Sequence, residues 1–548
     1  MRTALVFPYG FETYSPPVVM SHLYAITRKH GETKVFDFSI PDTNPLKFMG
    51  KTFPKLASQL SYFFTIRNLA NNFFTGSKKY RIFIKNPFFK KIRNSLWKKH
   101  LKKSVKQLEK FNPDVIAISM PMPYCYPFSR KIAEHFKKKH PETRIIYGGY
   151  FATHLYQKIL EKDDYVDYVV PGTSNAVINR VFQKLKHGQE PKIPGVAYKE
   201  KGKVKFAPAR EEELEIVPDF SWADWSQYPH KQVDYGLSTG CTHNCKFCTN
   251  SAFWKGYSEF SLPEQIKNVK KICEENGIRD VDFTDSSLNT PKKRMREVCD
   301  EITKQELKIR WIGSFRAQNF DKESVKKLEE SGCRMACIGV ESGSEEILKK
   351  MNKQVTKQEI IRSLAMFKNS KIHVPTTWIL GFPEETHEQA LESVNFALKL
   401  LRKGFIHATS FTAGIKIDTF NRKRFEEFLK DKKEKVKFEE LTSPEIENHL
   451  KFYWKGLWLE NGGLFTQKTG FNKKFSELYA FTTRLDALTG YFSAYKDSKG
   501  LKKMFLNAVI NASKKSLLKA YNQLDEEARR ELSEFKPFMQ KQWFQKII

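Results

Sequence analysis

Short apolar runs alternate with stretches of helical spacing through the N-terminal part of the chain. Thr3–Phe7 is apolar and stops at Pro8-Tyr9-Gly10, which predicts a strand entering a loop. Pro16-Pro17 precede Val18–His30, whose spacing predicts a helix ending at Gly31. Further strands are predicted over Thr33–Phe38, Asp114–Ser119, Arg144–Tyr147 and Tyr165–Val170, with a helix over Phe128–Lys139. Strands alternating with helices imply a parallel, doubly wound sheet, whose ligands lie beyond the carboxyl ends of the strands. Loops 8–17, 119–127, 148–154 and 171–175 stand there.

A second pattern starts at Val233–Ser238, a strand running into a loop. A βα unit of about 30 residues then repeats. Strands are predicted over Val281–Thr284, Lys308–Ile312, Met335–Val340 and Val374–Leu380. Helices are predicted over Pro263–Asn276, Lys292–Gln305, Lys322–Ser331, Lys357–Ser370 and His387–Leu401. Rolled up, the repeat gives a partial, TIM-like (β/α)6 barrel with its chemistry at the carboxyl ends of the strands. The repeat stops near Leu401. Helical patterns follow over Lys423–Lys435, Ser443–Glu460, Lys474–Tyr495, Lys502–Leu517 and Asp525–Gln545.

The expected fold class is therefore α/β, in four parts. Residues 1–190 form a Rossmann-like domain with a helical insertion at 45–107. Residues 191–232 form a hairpin and linker, 233–402 the barrel, and 403–548 a helical C-terminal domain.

Composition changes this picture in two places. The formal charge is +32, from 94 Lys and Arg against 62 Asp and Glu, which attracts anionic partners. Between Lys78 and Lys110 thirteen basic residues face one acid, Glu109, with Tyr80, Phe83, Phe88, Phe89 and Trp97 interleaved. An amphipathic cover with its lysines in solvent is the favoured reading of this insertion. An anionic membrane surface is the alternative partner, and nucleic acid is disfavoured. The eight cysteines, three of them clustered, fit a reducing, cytoplasmic setting rather than a disulfide framework. No run of about 18 apolar residues predicts a spanning helix. The first residues read as a strand, not a signal peptide.

The chemistry is concentrated in Cys241-Thr242-His243-Asn244-Cys245-Lys246-Phe247-Cys248. Three thiolates on a short loop can hold three irons of a 4Fe–4S cluster and leave the fourth iron open. A structural zinc ion would want a fourth protein ligand. His243 could supply it only from between two of the cysteines, which is poor tetrahedral geometry. The cysteine spacing, with Phe247 before Cys248, resembles the signature of the radical S-adenosylmethionine (radical SAM) superfamily. The resemblance implies that S-adenosylmethionine chelates the open iron through its amino and carboxylate groups. Reduction would then cleave it to a 5′-deoxyadenosyl radical.

The resemblance extends through the barrel. Asp285 matches the position that meets the methionine amino group, and Glu341 the position near the ribose hydroxyls. Arg316 is a candidate partner for the methionine carboxylate, which suits a guanidinium fork. The loop containing Gly381, with the backbone at Phe247, matches the adenine contact.

The N-terminal half resembles a cobalamin-binding domain. Ser119 and the pair Gly148-Gly149 follow successive strands, like the motifs that approach the lower nucleotide tail. Gly172-Thr173-Ser174-Asn175 stands where the subgroup often has Gly-Glu-Gly-Glu, and no Asp-x-His-x-x-Gly motif supplies a histidine to cobalt. The resemblance implies cobalamin-dependent methylation of an unactivated carbon in a small-molecule or lipid-like substrate. A low-potential donor, flavodoxin or ferredoxin, would supply the electron. A cobalamin-assisted radical cyclase or rearrangement enzyme is an alternative. So is a non-catalytic, metal-containing nucleic-acid-binding protein.

Overall fold

Strand β1 (Arg2–Phe7) is apolar on both sides, so both sides must be covered. Ala4 and Val6 point into one core, while Leu5 and Phe7 pack on Met20 in another. The computed structural model describes residues 1–9, 15–39, 87–121, 125–172, 174–209, 215–228, 231–248, 254, 256–382 and 385–413. Toward the C-terminus it describes 477–478, 481–482, 484–486, 488–489, 514 and 516–532.

Helix α1 (Val18–Thr27) follows β1 and leads to β2 (Glu32–Asp37). Then come α2 (Pro87–Phe111), β3 (Val115–Ser119), α3 (Tyr126–Lys139), β4 (Arg144–Gly148), α4 (Gly149–Lys162), β5 (Tyr168–Val169) and α5 (Asn175–Lys186). The five strands pair in parallel in the order β2-β1-β3-β4-β5. In this order the chain switches direction between β1 and β3, which opens a crevice at their carboxyl ends. Helices α2, α3 and α4 cover one face, through Val105, Leu108, Phe128, Ile132, Phe136 and Phe151. Val177, Val181 and Phe182 of α5 cover the other, against Val115, Ile146 and Val170.

Two findings refine the sequence reading here. The hairpin β6 (Ala197–Glu200) and β7 (Lys203–Lys205) is not a separate linker element. It pairs antiparallel with β5 and completes a seven-stranded sheet. In the basic insertion, residues 45–86 lie outside the described residues. Within α2, Val105, Leu108 and Phe111 are buried while Lys98, Lys99, Lys102, Lys103 and Lys106 are exposed. That is an amphipathic cover over this part of the sheet.

The second sheet comprises β8 (Gln232–Tyr235), β11 (Asp280–Phe283), β12 (Arg310–Arg316), β13 (Cys333–Glu341), β14 (Pro375–Leu380) and β15 (Ala408–Ala413), all parallel. Between β8 and β11, the short strands β9 (Ser238–Gly240) and β10 (Tyr257–Glu259) form an antiparallel pair. Helices α6 (Leu262–Asn276), α7 (Arg294–Lys304), α8 (Lys322–Glu330), α9 (Glu345–Lys350), α10 (Lys357–Ala365) and α11 (His387–Arg402) connect the strands. Phe283, Trp311, Ile338 and Trp378 point outward into the helix-covered core. The partial six-stranded barrel is as expected, but it runs past Leu401 to β15. That strand alternates Thr409, Ser410 and Thr412 with few apolar residues, so its pattern is faint in the sequence.

The edge of β15 is capped from the C-terminal region. Asp486 accepts hydrogen bonds from Phe411 N at 2.7 Å and from Thr409 Oγ1 at 2.9 Å. Leu478, Phe481, Leu485, Leu488, Leu517 and Tyr521 join the barrel core. The expected helices at 423–435 and 443–460, and most of 502–517, lie outside the described residues.

Polar ties join the N-terminal domain to the linker and to the barrel. Tyr228 Oη donates to Asp37 at 2.8 Å, Trp222 Nε1 to Ser21 Oγ at 3.1 Å, and Ser15 Oγ to Asp234 at 2.6 Å.

Gly332 joins α8 to β13 with φ of +87°, and a methyl group there would lie 2.2 Å from the carbonyl oxygen of Ile309. Gly332→Ala is expected to cost about 1–3 kcal/mol. It should also speed hydrogen exchange at Trp311 N–H, which bonds to Gly332 O. Unchanged exchange there would contradict the argument.

Candidate active site

The cysteine loop grows out of the β9–β10 pair. Gly240 faces Tyr257 in that pair with φ of +73°, and a methyl group there would lie 1.6 Å from Gly256 O. Only glycine lets the pair close so tightly at the root of the loop. Cys241, Cys245 and Cys248 are in no disulfide, Cys245 buried and the other two half-buried. Cys248 N donates to Cys245 O at 3.0 Å, which turns the loop back on itself. Lys246 N donates to Met351 O at 2.9 Å and Asn352 Nδ2 to Asn244 O at 2.8 Å, tying the loop to the end of α9. Phe247 packs on Ile347, Met351, Ile379 and Phe382, so it does meet the loop that carries Gly381. Gly381 itself has φ of +77°, and its N–H bonds to the Glu385 carboxylate. Pro383 lies outside the described residues.

Arg316, the last residue of β12, is buried beside this loop. Its Nη1 donates to Cys245 Sγ at 3.2 Å and its Nη2 to Lys353 O. Its Nε–H is buried with no hydrogen-bond partner among the described residues. Asn289 holds the strand end in place. It accepts from Arg316 N at 2.9 Å and donates to Arg316 O at 3.0 Å and Gln318 O at 2.7 Å. Glu341 stands at the end of β13, where the register with β14 shifts and φ is +72°. Its carboxylate pairs with Lys353 Nζ at 3.0 Å, the two residues being 7% and 3% exposed. Lys353 Nζ also lies 5.6 Å from the centre of the Phe247 ring. Lys353 and Asn289 carry no signal in the sequence, because their roles come from contacts across the fold.

Asp285 is buried after β11. It accepts from Leu237 N at 2.9 Å and from the Ser238 hydroxyl, so it anchors the turn from β8 into β9. Burial pushes its carboxyl up to about 6, against the pull of these donors and of Arg294. His243 is pushed down to about 4, first by burial and then by the charges of Arg316 and Lys353, so its ring is neutral. Among the described residues no three His, Cys, Asp or Glu side chains form a site for one metal ion. A cubane spreads its thiolates over separate irons instead.

Several inward positions of the barrel strands are polar. Thr284, Ser314, Thr377 and Ser410 alternate with buried residues and yet are exposed, which marks an open lumen. Asp234 and Asp282 are register partners on that face, and burial together with Asp234 and Asp285 pushes Asp282 up to about 7. The sequence reading missed this pair, since each aspartate sits inside a strand rather than at its end.

A cavity of about 380 Å³ joins the two sheets. Ser119, Gly148, Gly149 and Gly172 line its N-terminal wall, and Gly236, Ser238, Thr239, Gly240 and Thr284 line its barrel wall. Gly149 has φ of +86°, and a methyl group there would lie 2.8 Å from Met120 N. The residues predicted to hold the cobalamin tail thus line this space, and its barrel wall is made by chain neighbours of Cys241 and Asp285 rather than by those residues themselves.

Two outcomes follow. Lys353→Met strands the Glu341 carboxylate in the interior and should cost roughly 3–5 kcal/mol. Adding Glu341→Gln should recover most of that loss, read as urea midpoints. Asp285 holds its proton up to about 6, whereas an unfolded aspartate titrates near 4. Its stabilising contribution is therefore full below pH about 4 and declines as pH rises to about 6. Asp285→Asn should remove that slope from the urea midpoint, and identical profiles for the two proteins would refute the assignment.

Residues 235–397 match the Radical SAM superfamily and residues 93–181 match the B12 binding domain. An uncharacterized methyltransferase of Pyrococcus horikoshii is 30% identical over 305 residues, 54% of this chain and 66% of that protein. The anaerobic magnesium-protoporphyrin IX monomethyl ester cyclase of Rubrivivax gelatinosus is 25% identical over 307 residues, 52% of this chain and 54% of that one. The chain thus spans between half and two thirds of these relatives. Among solved structures, the cobalamin-dependent S-adenosylmethionine radical enzyme OxsB gives a TM-score of 0.61 at 15% identity, over 98% of this chain and 75% of that one. The radical S-adenosylmethionine methyltransferase TsrM of Kitasatospora setae gives 0.55 at 15% identity, over 75% and 74%. These two likenesses show the fold, and the sequence matches fall on the sheet and barrel described above. The chain belongs to the radical SAM superfamily, in the subgroup that carries a B12-binding domain.

Proposed function

We propose that the chain is a cobalamin-dependent radical SAM methyltransferase that methylates an unactivated carbon of a small molecule. One observation carries this reading. The cavity of the N-terminal sheet opens on Ser238 and Gly240, at the root of the cysteine loop. A corrinoid and a cluster would therefore face one reaction space.

The residues fit the groups that membership implies. Cys241, Cys245 and Cys248 would hold the cluster, and Arg316 supports the thiolate of Cys245 by donating to it. The unmet Nε–H of Arg316 fits a carboxylate such as that of S-adenosylmethionine. Asp285 would meet its amino group, Glu341 its ribose, and Phe247 and Gly381 its adenine. Ser119, Gly148, Gly149 and Gly172 would hold the cobalamin tail. When bound, the cluster and S-adenosylmethionine supply hydrogen abstraction, and cobalamin supplies the methyl group. The chain's own part is to orient these groups and exclude water.

The hydroxyl-lined lumen favours a small polar substrate over a lipid. The excess of basic residues favours an acidic flavodoxin or ferredoxin as electron donor. None of the eight cysteines is in a disulfide, which suits the cytoplasm. Among the described residues no helix is long and apolar enough to cross a membrane. The cyclase relative supports a second reading, radical cyclisation without methyl transfer.

Anaerobic reconstitution should load about four irons per chain. With reductant and S-adenosylmethionine the loaded protein should release 5′-deoxyadenosine, and Cys245→Ala should release none. S-adenosylmethionine labelled in its methyl group should pass the label to bound cobalamin. Release of 5′-deoxyadenosine with no label on the corrinoid would favour the cyclase.

A further inference from the structure

Helix α1 forms part of the cavity wall through Val18, Val19, His22 and Leu23. His22 Nδ1 lies 3.0 Å from the carbonyl oxygen of Val18, one turn earlier in the same helix. A carbonyl can only accept, so Nδ1 carries the proton. Burial lowers the basicity of the ring more than the Val18 bond raises it, which keeps the imidazole neutral. In this tautomer Nε2 is a bare lone pair. His22 makes no other hydrogen bond among the described residues. His22 is half-buried in a helix that packs against the sheet, and it lines the cavity.

The N-terminal wall is largely apolar, through Phe7, Leu23, Ala117, Ile146, Val181 and Phe182, with Ser119 and Asn175 among its polar members. Ser119, of the expected tail motif, lines the same wall. A largely apolar wall with a few polar groups suits a ring and sugar. A lone pair in that wall penalises any ligand that covers it without donating to it, because a buried unmet acceptor is costly.

We propose that His22 Nε2 accepts a hydrogen bond from the nucleotide tail of the corrinoid, and so selects corrinoids whose tail presents an N–H or O–H there. This rests on the reading of the cavity as a cobalamin site. Two parts of a tail can donate. The ribose has hydroxyls in every complete corrinoid. The base has an amino group when it is adenine, but no N–H when it is dimethylbenzimidazole. Cobinamide lacks both base and ribose.

The test titrates hydroxocobalamin, its adenine-tailed analogue and cobinamide into the reconstituted full chain. Wild type, His22→Phe and His22→Gln are compared, with Kd read from the visible spectrum of the corrinoid. His22→Phe should weaken a tailed corrinoid about tenfold, the loss of one buried hydrogen bond. Cobinamide should bind as in wild type, and His22→Gln, which keeps an acceptor, should recover part of the loss. Equal weakening of both tailed forms assigns the donor to the ribose, and weakening confined to the adenine form assigns it to the base. Unchanged affinity of both tailed forms in His22→Phe overturns the proposal. So does an equal loss for all three ligands in both variants, since the effect would then not concern the tail. Failure of wild type to bind any of the three removes the cobalamin reading itself.

Discussion

A guanidinium taken out of water must be met by acceptors, and Arg316 meets two from distant parts of the barrel. One is the sulfur of Cys245 and the other is the carbonyl of Lys353. These two contacts join the cysteine loop, the end of β12 and the segment after α9 into one body. Lys353 then carries the connection to Glu341 through a buried ion pair. Removing any member leaves a charge without its partner in a low-dielectric interior, so the group stands or falls together. The loop that would carry iron is thus held from behind by electrostatics, and from below by the packing of Phe247.

The parts of the site legible in the sequence are those whose signal is local. The three cysteines announce themselves by spacing. Asp285, Arg316 and Glu341 each follow an apolar strand, where a charged residue has no structural reason to stand unless something meets it. Lys353 and Asn289 were not legible, because a lysine and an asparagine in connecting segments resemble any surface residue until the fold buries them. The same holds for His22, whose tautomer is fixed by its bond to Val18 and whose place in the cavity wall comes from the fold. At the level of the fold, apolar runs located the parallel strands. They could not locate β15, where polar residues alternate through an edge strand capped by Asp486. Nor could they show that the β6–β7 hairpin belongs to the first sheet, since strand pairing is non-local.

The sheet edges illustrate how the chain manages what the pattern cannot show. The first sheet ends on the three-residue β7, whose Lys203 and Lys205 are exposed. A short, charged edge is a poor template for another strand. The second sheet ends on β15, where Asp486 takes the Phe411 N–H that another chain could otherwise use.

The cavity between the sheets has one more consequence. Its walls come from both halves of the chain, which are also joined by polar ties such as Tyr228 to Asp37 and Ser15 to Asp234 and by the packing of Val18 on the barrel core. A molecule seated there touches both walls at once and becomes part of the cement between them. Its binding then adds to the resistance of the whole chain to opening, rising with the logarithm of its concentration over its Kd. Cofactor supply would in this way govern how long the protein survives as well as what it can do.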